Sequence, residues 1–164
     1  MNTIASPVRK RRLAQILVLI CTCAIALVLA ACDDGSSATA STPGKTITSS
    51  ILQGSPITIG IDTSGGLDIA QQGVNFDILK DGHVVAHAFL LIKSDYDTYA
   101  SSASSKDNYA TSTVNGCDVI TYDDGTTYEA LITIPDANTY VHILDMESQD
   151  SLNEVLSALT FTAG

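Results

Sequence analysis

Few side chains in this 164-residue chain are equipped for chemistry: three histidines, His83, His87 and His142, four cysteines and eighteen acidic residues. His83 and His87 fall on one face of a single expected strand, but four residues of strand separate them by about 13 Å. Two ligands at that spacing do not share a zinc ion unless a third element comes between them. The pattern allows a metal site built from His87 and His142 on neighbouring strands, and it favours ordinary sheet histidines. Asp33-Asp34-Gly35 and Asp123-Asp124-Gly125 carry calcium-type oxygen ligands. After Asp123, however, the chain offers Gly125, Thr127 and Glu129, which do not make the alternating set and closing Glu of an EF-hand. Asp123-Asp124-Gly125 therefore reads as a hairpin turn. No serine sits in a Gly-x-Ser-x-Gly setting, and scattered acids nominate no pair for glycoside hydrolysis. The six tyrosines, Tyr96, Tyr99, Tyr109, Tyr122, Tyr128 and Tyr140, suit a ligand face or, more simply, the cover of a sheet edge. The expectation is no catalytic set, no metal and no cofactor.

Cys117 is followed by Asp118, whereas a reactive thiol wants electropositive surroundings. It reads as a small, partly buried hydrophobe. The other three cysteines belong to a different story. Arg9-Lys10-Arg11-Arg12 precedes an apolar run from Leu13 to Ala31 that contains Cys21 and Cys23. A basic cluster, an apolar core and small residues before a cleavage point make an export signal. The basic residues stay on the cytoplasmic side while the run enters the bilayer. The rival is a spanning anchor, because about 19 apolar residues just cross a membrane. A spanning helix has no need of Ala30, Ala31 and Cys32 at its outer end, followed at once by Asp33, Asp34 and Gly35.

Leu29-Ala30-Ala31-Cys32 resembles the lipobox of bacterial lipoproteins. The resemblance implies that residues 1–31 are a lipoprotein signal peptide cut off before Cys32. It further implies a diacylglyceryl group on Cys32, often with an additional amide-linked chain such as palmitate. The chain would then sit on the outer, extracytoplasmic face of a cell membrane. Two or more acyl chains hold well where one holds weakly. Asp33 resembles the inner-membrane retention signal of Gram-negative lipoproteins.

Charge divides at the same point. All eighteen acidic residues follow Cys32, with only Lys45, Lys80, Lys93 and Lys106 against them, a formal −14 beyond the leader. Such a chain repels phosphate backbones, which argues against nucleic acid as a partner. The positive mean hydropathy, +0.22, comes partly from the leader. With Cys117 alone in the mature chain, no internal disulfide forms there.

The mature part, about 130 residues, suits one domain. Residues 32–50 are small and turn-favouring and read as a flexible tether. Residues 51–164 read as an α+β globular domain. Its expected strands are Pro56 to Ile61, a short Leu67-Asp68-Ile69, Val74 to Lys80 and, after the hairpin signal Asp81-Gly82, His83 to Ile92. The last of these is apolar on both faces and is placed centrally. A helix is expected from Asp95 to Ser102, opened by a Ser94-to-Asp97 capping box. Four strands follow: Tyr109 to Val114, Cys117 to Tyr122, Thr126 to Ile134 and Thr139 to Asp145, an antiparallel meander. Leu152, Val155, Leu156 and Leu159 form the stripe of a helix from Ser148 to Leu159. Asp150 or Ser151 is its expected cap, with Glu154 completing a box. Thr160 to Thr162 is a short last strand or tail.

This layout looks like the PsbP-like family of secreted domains, through the Val74–Ile92 hairpin and the Leu152–Phe161 helix with its Leu-x-Phe ending. The resemblance implies an accessory or binding role with an unidentified protein or small-molecule partner. The alternative is a small extracytoplasmic enzyme with a pocket around His87, His142 or Cys117.

Overall fold

Ile57, Ile59 and Ile61 alternate along one short segment and are inaccessible, and on its other face Gly60 is buried and Thr58 partly so. The computed structural model, which describes residues 44–164, shows why. The elements in chain order are β1 (Lys45–Ser49), β2 (Ile57–Ile61), β3 (Leu67–Gln72), β4 (Asn75–Lys80), β5 (His83–Leu91), α1 (Lys93–Ala103), β6 (Asp107–Val114), β7 (Cys117–Asp123), β8 (Tyr128–Thr133), β9 (Tyr140–Met146), α2 (Gln149–Ala158) and β10 (Leu159–Ala163). β2 is the middle strand of a three-stranded sheet, between β1 and β10, antiparallel to both. The other seven strands form a second sheet in the order β3-β4-β5-β9-β8-β7-β6. Every ladder in it is antiparallel. Helices set against antiparallel sheets make this an α+β fold.

The large sheet is two meanders joined at one seam. β3, β4 and β5 form the first and β6 to β9 the second; β5 pairs with β9. α1 makes the crossover from β5 to the far edge and lies against β7, β8 and β9. Beneath it Leu91, Ala103, Tyr122 and Leu131 form a small cluster. The main core lies on the opposite face, where Val119, Ala130, Ile132, Val141 and Ile143 meet the isoleucines of β2 and the α2 stripe of Leu152, Val155 and Leu156. The face that α1 covers over β7 to β9 is open over β4 and β5, where Val84 and Phe89 are 49% and 40% exposed.

Several boundaries differ from expectation. The described residues include β1, five residues of what the composition marks as tether. Thr and Ile suit a pleated edge, and β1 exists because β2 offers it a free ladder. Val74 is a turn residue and does not belong to a strand. Gln72 pairs with Asn75, so Gly73-Val74 is a two-residue hairpin loop with Gly73 at φ 65°. The short stretch at Leu67 is consequently a full strand, β3, through Gln72. β5 is interior as expected, but only one of its faces is closed.

Both helix caps are also displaced. α1 begins at Lys93 with Ile92 as its N-cap and no side-chain cap bond, so Ser94 lies inside the first turn and no capping box forms. The turn is held by Lys93 reaching Asp97 at 2.7 Å and by Thr98 donating to the Ser94 carbonyl. α2 is capped at Ser148, two residues before Asp150 and three before Ser151: the Ser148 hydroxyl accepts from the Ser151 N–H. Glu154 pairs with Lys80 of β4 and so does not close a box. β8 starts at Tyr128, because the Asp124 carboxylate accepts from the N–H groups of Thr126 and Thr127 and holds them in the turn.

Candidate functional site

The hairpin β7–β8 runs through Asp123 opposite Tyr128, so Tyr122 stands opposite Glu129. Both side chains point to the α1 face, where β9 presents His142. The Tyr122 hydroxyl donates to Glu129 Oε2 at 2.6 Å. His142 Nε2 lies 2.8 Å from the same oxygen and 3.0 Å from the tyrosine oxygen. With its proton on Nε2 the imidazole donates into the carboxylate, which then receives two hydrogen bonds on one oxygen. All three residues are buried, at 4%, 8% and 3% exposure for Tyr122, Glu129 and His142. Tyr99 of α1 roofs the imidazole, ring centroids 4.6 Å apart. Burial, then the bond to Glu129, drives the Tyr122 phenol far above its ordinary range, so it stays a donor. The cluster is a polar clasp between three strands. Its groups satisfy one another, which is what buried polar atoms require.

A bulge aims part of it. Leu144 and Asp145 of β9 stand opposite Glu129 alone, with Asp145 at φ 69°. The adjacent strand carries a bulge at the same level, where Val85 of β5 has no partner on β4. That extra residue brings His87 into register with Asp77, and His87 Nδ1 lies 2.7 Å from Asp77 Oδ1. Bulges bend the strand that carries them and re-aim its side chains. Here two bulged neighbours, with the start of α2 behind them, open a groove of about 270 Å³. Val84 and Val85 supply its accessible apolar surface, with His87, Asp145, Glu147 and Glu154 at its edges.

The candidates drawn from sequence are thus dispersed. His87 and His142 are diagonal neighbours on one face, since His87 pairs with Leu144 and Phe89 with His142. Their rings turn away from each other, His87 toward Asp77 on β4 and His142 toward Glu129 on β8. Among the described residues, no group of three or more His, Cys, Asp or Glu side chains is placed to hold a metal ion. His83 is exposed in its strand beside the Asp81-Gly82 turn. Cys117 is a buried free thiol at 2% exposure on the other face, in the main core. Burial pushes its thiol up and the Asp118 carboxylate adds to that, the reverse of an activated nucleophile. Cys32 and Leu29 to Ala31 lie outside the described residues, and no helix among the described residues is long and apolar enough to cross a membrane.

No residue pattern sets Glu129, Tyr122 and Asp77 apart from the other acids and tyrosines. A turn confined to Asp123 to Gly125 would set Tyr122 opposite Thr126; the Asp124 bonds to Thr126 and Thr127 lengthen the loop to four residues and bring Glu129 there. No protein-family model, curated protein or solved structure matches this chain.

Proposed function

We propose that the chain is a lipid-anchored lipoprotein on the extracytoplasmic face of a membrane, serving as a binding or accessory module. The observation that carries this reading is Leu29-Ala30-Ala31-Cys32 at the end of a basic-then-apolar leader. The acidic residues, all beyond that cysteine, fit a chain whose basic end stays behind. The likeness in layout to PsbP-like domains points the same way, toward an accessory role. An enzymatic reading asks for two of His87, His142 and Cys117 in one cleft. His142 is spent in a buried clasp and Cys117 in the core, which favours binding over catalysis.

The test is chemical. Full-length protein expressed in a bacterial host with a clickable palmitate analogue is expected to carry the label. Its mature mass should begin at Cys32, and it should fractionate with membranes. Cys32→Ser is expected to lose the label and the cleavage together. An intact Met1 with an unmodified Cys32 thiol on the native protein would overturn the reading.

A further inference from the structure

The groove between the bulges of β5 and β9 and the N-terminal half of α2 combines an apolar floor with a one-sided charge. Val84, 49% exposed, and the partly buried Val85 give it accessible apolar surface, above Ala86, Met146 and Val155, which are each 1% exposed. Of the three carboxylates around it, Glu154 is engaged by Lys80, the groove's one lysine. Asp145 and Glu147 are exposed, and among the described residues neither forms an ion pair. Asp145 is held over the opening by its bulge, at φ 69°. His87 closes the other end, its Nδ1 tied to Asp77. The volume, about 270 Å³, sits at the small end of ligand pockets.

We propose that this groove binds a small organic cation, an ammonium or guanidinium group on a short apolar body. The body lies on Val84 and Val85, and the charged head lies between Asp145 and Glu147. The formal −14 beyond Cys32 raises the local concentration of such a ligand. The inference rests on the binding reading above and is independent of the anchor.

The experiment titrates full-length protein in detergent with phenethylammonium, its neutral isostere 2-phenylethanol and the anion 3-phenylpropionate, followed by calorimetry and ligand-observed NMR. Saturable binding of the ammonium alone is expected. Asp145→Asn with Glu147→Gln should weaken it by about tenfold, the loss of two solvent-facing ion pairs. Asn keeps the left-handed backbone at 145 at low cost, and Glu147→Gln alone, outside any strand, repeats the test without touching the bulge. A charge-matched control, Asp107→Asn with Asp136→Asn, should bind within twofold of the parent. Equal binding of the neutral isostere, no saturable ammonium binding, an unchanged Asp145→Asn/Glu147→Gln protein or equal weakening by the control would each overturn the proposal. So would binding seen only with a lysine-rich peptide. The parent protein separates the two claims: ammonium binding without the palmitate label sinks the anchor alone, and label without ammonium binding sinks this site alone. Cys32→Ser protein, which loses the label, should bind the ammonium as the parent does.

Discussion

At the scale of single residues, the buried Tyr122–Glu129–His142 clasp carries the sharpest energetic consequence. Removing one partner of a buried, hydrogen-bonded ionisable pair leaves the other desolvated and unmatched. Glu129→Ala takes the shared acceptor away from a phenol and an imidazole, an expected cost of about 1–3 kcal/mol of unfolding free energy, and Tyr122→Phe should cost about as much. Urea midpoints measure both. The double variant should fall short of the sum, since the groups share one oxygen. An additive result would show that the three act independently. The clasp was not readable: a turn confined to Asp123 to Gly125 counts Thr126 opposite Tyr122, and only the loop 124–127, held by the Asp124 carboxylate, brings Glu129 there. The Asp77–His87 pair was not readable either. A two-residue turn at Asp81-Gly82 counts Ala86 opposite Asp77, and only the unpartnered Val85 moves His87 there. A slip of one residue flips every side chain to the other face, and hydropathy does not announce a bulge.

At the scale of elements, the β6–β7 hairpin is fastened by its own loop. Asn115 and Gly116 take φ of 50° and 82°, the pair of positive values that a type I′ turn requires. The Asn115 amide then donates to the carbonyls of Ser157 and Leu159, at 3.0 and 2.7 Å, where α2 gives way to β10. Asn115→Ala loses both bonds and places a Cβ in left-handed backbone, an expected loss of about 1–3 kcal/mol by thermal or urea unfolding. Asn115→Gly relieves the backbone and keeps the side-chain deficit, so it should fall between parent and Asn115→Ala. A Gly variant no more stable than the Ala one would remove the backbone from the account. The turn itself was plain in the sequence, as Asn-Gly between alternating runs. Its grip on α2 depends on tertiary placement that no local pattern carries. The same holds for β1, whose Lys-Thr-Ile-Thr-Ser is poor in apolar residues and becomes a strand only against β2.

At the scale of the whole domain, β1 tests where the folded part begins. Ile47 is partly buried against the main core and faces Ile59 across the ladder. Ile47→Ala should destabilise the full chain by about 1–2 kcal/mol, below the range for a fully buried isoleucine. A residue in a free tether would give less than about 0.5 kcal/mol, and that result would return the boundary to residue 51. The fold class and the meander were legible because alternating runs and turn signals are local. The division into two sheets was not, because β2 and β10, which share a sheet, are about as far apart in the chain as two strands of this domain come.

That distance sets a clock. Ile61 closes its ladder on Leu159, and the seam of the large sheet waits on Leu91 finding Tyr140. Neither registration can be rewarded until a long excursion of chain has been gathered in, so refolding should run in milliseconds to seconds, the regime of high contact order. Early hairpins will form and melt many times before the two ends of the domain lock together.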